Sequence, residues 1–157
     1  MKTKTILLTS AILVSTLAST LSYASDRESV IYGDDNRVDV YQSRNLIYKK
    51  LAASTAAMIP IRHLESTGDS YLVKGGTLAG DGICSDEKFA KQQTAAMCTG
   101  FLVAPDLLLT AGHCIKEMSD CESNAWVFDY SNTISERAEF KINQKDVYTC
   151  TQIISRA

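Results

Sequence analysis

Residues Cys98 to Cys114 read C-T-G-F-L-V-A-P-D-L-L-L-T-A-G-H-C, and the two apolar runs inside this stretch decide the architecture. Met97 to Val103 and Leu107 to Thr110 are expected as strands, with Ala104-Pro105-Asp106 turning the chain between them. Proline fixes its own φ and has no N–H to give a ladder, and aspartate favours turns, so Pro105-Asp106 is a natural corner. Two short apolar runs joined this way form an antiparallel hairpin. A cysteine stands at either end of the stretch, and His113 comes directly before the second one.

This stretch resembles the histidine box of trypsin-like (chymotrypsin-fold) serine endopeptidases, whose general base sits in T-A-x-H-C. Cys98, Gly100, Leu102, Val103, Pro105, Leu109, Thr110, Ala111, His113 and Cys114 all stand in family positions. The resemblance implies that Cys98 and Cys114 are bridged as the histidine-loop disulfide. It implies that His113 is the catalytic base, with Thr110 and Ala111 packed beneath it and Gly112 where the family has a small residue. A structural histidine beside a disulfide is the plainer alternative for His113. His63, in I-P-I-R-H-L-E, has no such context and reads as a surface or rim residue.

Upstream, Lys2 and Lys4 precede an uncharged, apolar and small-residue-rich run from Ile6 to Leu21, followed by Ser22-Tyr23-Ala24. That is the layout of a secretory signal peptide over residues 1–24, with Ser25 as the first residue after export. The expected location is therefore secreted or periplasmic, with no membrane attachment after cleavage. Cleavage removes two lysines and no acid, so 16 basic side chains become 14 against 18 acidic ones, a net charge of −4. Nothing in that balance favours nucleic acid as a partner. There is no internal repeat or metal-spaced cysteine pair, and no metal or other cofactor is expected. Ser85 to Lys91 reads as a solvated loop or helix turn.

Five cysteines fit an oxidising compartment, and an odd count cannot close internally. Cys121 and Cys150 flank predicted strands and form a candidate second pair, which leaves Cys84 over. Asn45 is placed to cap a brief helix through Leu51-Ala52. Thr55 to Ile61, Trp126 to Phe128, the alternating stretch Val147 to Ile154 and the V-I-Y that opens at Val30 read as strands, with turns at Gly75-Gly76 and Gly80-Asp81-Gly82. So many short strands predict an all-β antiparallel fold. The resemblance makes it a Greek-key barrel of the chymotrypsin type, the first barrel only, with short helical turns, spanning residues 25–157.

Acyl transfer by this chemistry needs a serine hydroxyl, a base within hydrogen-bond reach and an acid that orients the base. The family's acid follows the histidine by about 45 residues, a position just past Ala157. Asp129 and Asp146 lie at the wrong points and read as turn and strand-edge acids. No G-x-S-G follows His113, and Gly68-Asp69-Ser70 precedes it, is followed by Tyr71, and reads as a turn. The V-I-Y-G-D-D-N-R beginning at Val30 is similar to the mature start of bacterial glutamyl-endopeptidase-like enzymes, which would make residues 25–29 a short propeptide. The expectation is a secreted serine endopeptidase represented by its N-terminal, histidine-bearing half, inactive alone and acting on protein or peptide substrates once completed. The alternatives are a secreted, non-enzymatic binding module built on a protease barrel and an enzyme with a replacement nucleophile such as Cys84.

Overall fold

The computed structural model describes residues 33–132 and 140–156, and the signal-peptide segment, the Ser25 cleavage point and the strand opening at Val30 lie outside them. The chain divides into residues 1–36 and residues 37–157. Of the first unit only residues 33–36 are described, and they form neither helix nor strand. All the regular structure below belongs to the second.

Helix α1 (Leu46–Ala53) starts where Asn45 predicts it, because the Asn45 side-chain oxygen accepts from the N–H groups of Ile47 and Tyr48. The strands follow as β1 (Thr55–Pro60), β2 (Leu64–Ser66), β3 (Ser70–Val73), β4 (Gly76–Thr77), β5 (Gln93–Thr94), β6 (Cys98–Ala104) and β7 (Leu107–Thr110). After a short helix α2 (Met118–Ser123) come β8 (Asn124–Val127), β9 (Phe140–Asn143) and β10 (Val147–Thr149). Five strands join in the order β10-β8-β1-β6-β7, three in the order β2-β3-β9, and β4 pairs with β5. Every pairing is antiparallel. The result is the expected all-β class: a curled antiparallel half-barrel with few helices, consistent with a chymotrypsin-type barrel.

Period-two alternation in β1 divides the core in two. Ala57 and Ile59 turn to one face with Ala125 and Val127 of β8, and there meet Val73, Phe140 and Ile142 from the three-stranded sheet. Ala56 and Met58 turn to the other face with Trp126, and pack against Ile115 and Cys121. Ile59, Val73 and Val127 are essentially fully buried, each worth about 1.5–3 kcal/mol of transfer free energy. Pro60 ends β1, and the chain passes into a 3-10 turn over Ile61–His63. His63 is half-buried there, its Nδ1 shielded from solvent without a hydrogen-bond partner.

Two expectations need correction. The strand expected to run from Val147 to Ile154 stops at Thr149. Cys150 is bridged to Cys121 of α2, and Ile153 packs on the second core, so the chain leaves the ladder to follow that tether. Gly76, expected in a turn, lies in β4, and the turn falls at residues 78–82. Gly68-Asp69 turns β2 into β3, with Gly68 at φ +98° and the Thr67 N–H bonded to the Ser70 carbonyl at 2.9 Å.

Candidate functional site

The histidine loop is built by the β6–β7 hairpin. Gly100 pairs with Thr110, Phe101 with Leu109 and Leu102 with Leu108, and a bulge between Leu102 and Ala104 accommodates the Pro105 corner. Gly100 is buried because it must be. A Cβ built on it would lie 2.4 Å from Leu108 Cδ2 and 2.8 Å from Trp126 Cζ3. Only glycine lets Leu108 and the indole close over this strand. At the end of β7 the Thr110 hydroxyl donates to the Thr99 carbonyl at 2.8 Å, pinning the two strands where the loop leaves them. The chain then makes one tight turn, with the Cys114 N–H bonded to the Ala111 carbonyl at 2.9 Å, and His113 sits on that turn.

Cys98 and Cys114 are bridged, and so are Cys121 and Cys150, while exposed Cys84 belongs to neither bridge. The first bridge ties the start of β6 to the residue after His113. The second ties α2, whose Cys121 is fully buried, to the chain beyond β10. Both lie against the Met58–Trp126 core. Asp120 fastens the intervening segment, its carboxylate accepting from the N–H groups of Lys116 (2.8 Å) and Glu117 (3.3 Å). The backbone carrying His113 is therefore held on both sides. The imidazole itself is exposed, and its nitrogen and the two bridge sulfurs lie within 4.8 Å of one another.

Residue Arg156 reaches the same turn, its Nε donating to the Gly112 carbonyl at 3.1 Å. Residues 150–156 thus run from the second bridge to the backbone beside His113, a connection that strand patterning alone did not reveal. An open hollow of about 490 Å³ lies here, lined by Met97, Phe101, Leu109, Thr110, His113 and Cys114 among others. Cross-strand register puts Phe101 and Leu109 on the same face as Ala57 and Val127. The three-stranded sheet covers that face over β1 and β8 but not over β6 and β7, so Phe101 is 53% and Leu109 61% exposed.

The acids are placed elsewhere. Asp129 follows β8 in a left-handed backbone conformation (φ 55°), and Asp146 closes a 3-10 turn before β10 while its carbonyl accepts from the Phe128 N–H. Among the described residues no carboxylate is hydrogen-bonded or ion-paired to His113. Ser70 bonds locally to Thr67 and Asp69 at the β2–β3 turn.

A family model described as Trypsin matches the chain over residues 85–155. That span holds the whole histidine loop, both disulfides and every strand from β5 to β10. It supports a place in the trypsin-like serine protease family. No curated protein and no solved structure matches the chain.

Proposed function

We propose that this chain is the histidine-bearing half of a secreted, trypsin-like serine endopeptidase of the bacterial glutamyl-endopeptidase-like branch, with His113 as its general base. The observation that carries the reading is His113 itself: exposed, on a tight turn, and directly beside the Cys98–Cys114 bridge within the matched span. Histidine suits the role because its ordinary pKa lies near neutral pH. In the proposed reaction its unprotonated nitrogen accepts the proton of a serine hydroxyl as that oxygen attacks a peptide carbonyl, and later returns it to the leaving amine. The bridge and the Thr110–Thr99 bond hold the loop so that the ring is presented in one place, which is how positioning lowers the barrier.

The described residues supply the base and no partner for it. The serine, the orienting acid and the oxyanion hole are assigned to a second half, and substrates are peptides or proteins. The uncovered apolar face at Phe101 and Leu109 supports a packed partner on that side, since soluble surfaces seldom leave such strips open. Two disulfides and the leader-like residues 1–24 support export, and V-I-Y-G-D-D-N-R is the feature that favours the glutamyl-endopeptidase-like branch and a propeptide at residues 25–29. Among the described residues no helix is long and apolar enough to cross a membrane.

The test is hydrolysis of casein and of chromogenic peptide esters by the purified 157-residue chain. The reading predicts turnover equal to a blank. Turnover that His113→Ala abolishes would place a nucleophile within these residues and overturn the division of labour.

A further inference from the structure

We propose that Cys98, His113 and Cys114 form a zinc site whenever the bridge between the two cysteines is open. The three side chains offer two sulfurs and one imidazole nitrogen within 4.8 Å of one another. Two thiolates and a histidine are one of the donor sets that hold catalytic zinc, with metal bonds of about 2.3 Å to sulfur and 2.0–2.1 Å to nitrogen. Tetrahedral angles at those lengths separate the donors by about 3.5–3.8 Å. The imidazole therefore needs a small movement, and the sulfurs need only separate to non-bonded contact. The fourth position faces solvent, because His113 is exposed and the turn stands at the rim of the open hollow.

The frame that holds these donors does not depend on the bridge alone. Cys98 and Cys114 both pack against the Met58–Trp126 core, Cys98 is paired with Met58 in the sheet, and the Cys114 N–H is bonded within its turn. The second bridge, with Cys121 fully buried, stays less accessible to a reductant than the partly exposed first one.

The open state arises in two ways. Every newly made chain carries both thiols before the bridge closes. A closed bridge is opened by two equivalents of a small thiol: their sulfurs are oxidised and join each other, and Cys98 and Cys114 each gain a hydrogen. Zinc then displaces one proton from each thiol and takes the lone pair of the imidazole. Closing the bridge by exchange with a small-molecule disulfide, which takes up the two electrons and leaves as two thiolates, consumes the Cys98 and Cys114 thiolates and releases the metal, so binding is switched by oxidation. In the proton transfer proposed above, a zinc-bound His113 has no lone pair to accept the serine proton. That consequence rests on the proposed role of His113, whereas the metal site does not.

The experiment uses the full chain carrying Cys84→Ser, so that the remaining cysteine outside both bridges cannot contribute. A water-soluble phosphine opens the bridge; phosphorus supplies two electrons and takes up the oxygen of one water, whose protons go to the sulfurs. Thiol counting and peptide mapping record which bridges have opened. Cobalt(II) is titrated first as a spectroscopic probe, then displaced with zinc. The expected result is one cobalt per chain with sulfur-to-cobalt charge-transfer absorption and the visible bands of a tetrahedral site. Apparent affinity should be at least about 100-fold above that of the oxidised chain, and His113→Ala in the reduced chain should weaken it by about tenfold or more. His113 is exposed, so that variant leaves the core intact. A reduced chain without the charge-transfer band, an oxidised chain that binds as tightly, or His113→Ala binding like its parent would each overturn the site. Loss of zinc binding would leave the proposed peptidase chemistry untouched, because the blank-level hydrolysis test does not involve the metal.

Discussion

Replacing Gly100 by alanine tests the packing on which the histidine loop rests. The new methyl would meet Leu108 Cδ2 at 2.4 Å, Trp126 Cζ3 at 2.8 Å and Leu108 Cγ at 3.0 Å, all too close for carbon atoms in contact. Leu108 is half-buried and its terminal methyl can rotate away, but Trp126 is held by the second core and cannot. Overpacking of this kind costs typically about 1–3 kcal/mol, which in a domain of this size lowers the melting temperature by several degrees, roughly 3–6 °C per kcal/mol. Thermal unfolding followed by circular dichroism, with both bridges intact, reads the shift directly. Leu108→Ala should recover part of the loss, so that the double variant is more stable than the sum of the two singles by about 1 kcal/mol or more. Gly100→Ala melting with the parent, or a cycle with no coupling to Leu108, would refute the close approach of β6, β7 and the indole.

Three further outcomes follow from the same structure. Replacing Cys121 and Cys150 together by serine should cost about 3.5 kcal/mol through the unfolded chain, given the 29-residue separation of the pair, and non-reducing peptide mapping of the parent should find Cys121 joined to Cys150 and Cys98 to Cys114. Burial holds the Tyr130 phenol above its usual pKa of 10.0, with the hydrogen bond from the Ala95 N–H pulling the other way; its contribution to stability is present below the unfolded value and is lost as pH rises through the folded one, so alkaline melts should show a decline above about pH 10 that Tyr130→Phe flattens. The uncovered face should bind a hydrophobic dye such as ANS, and Phe101→Ser with Leu109→Ser should remove most of that fluorescence; a parent chain with no dye response would mean the strip is covered in solution.

The sequence made the hairpin legible because three local signals agreed there: two apolar runs, a Pro-Asp corner and a cysteine at either end. Asn45 was equally readable, since a capping side chain acts on the N–H groups next to it. What escaped were elements whose formation depends on distant partners. Helix α2 opens on a capping box between Glu117 and Asp120, which is faint in the sequence because glutamate is not among the favoured N-cap residues, and it is anchored by the bridge from Cys121 to distant Cys150. Strands β3 and β9 are short, and they become strands by pairing with each other and closing over Ile59 and Val127. The stretch after Thr149 alternates like a strand, yet the Cys150 tether takes it out of the sheet. Around His113, the T-A-G-H-C turn was visible in the sequence, whereas the Arg156 contact with Gly112 joins residues 44 apart and has no local signature.

The role of His113 is tested most directly by joining residues 25–157 to a segment that bears a trypsin-like G-x-S-G serine and its orienting acid, and measuring peptide-ester hydrolysis with and without His113→Ala. The account predicts that the joined protein turns over substrate, and that His113→Ala lowers kcat by a factor on the order of 10⁴ or more while KM changes little. An active joined protein whose kcat survives His113→Ala would contradict it, because the proton of the serine would then be going somewhere else.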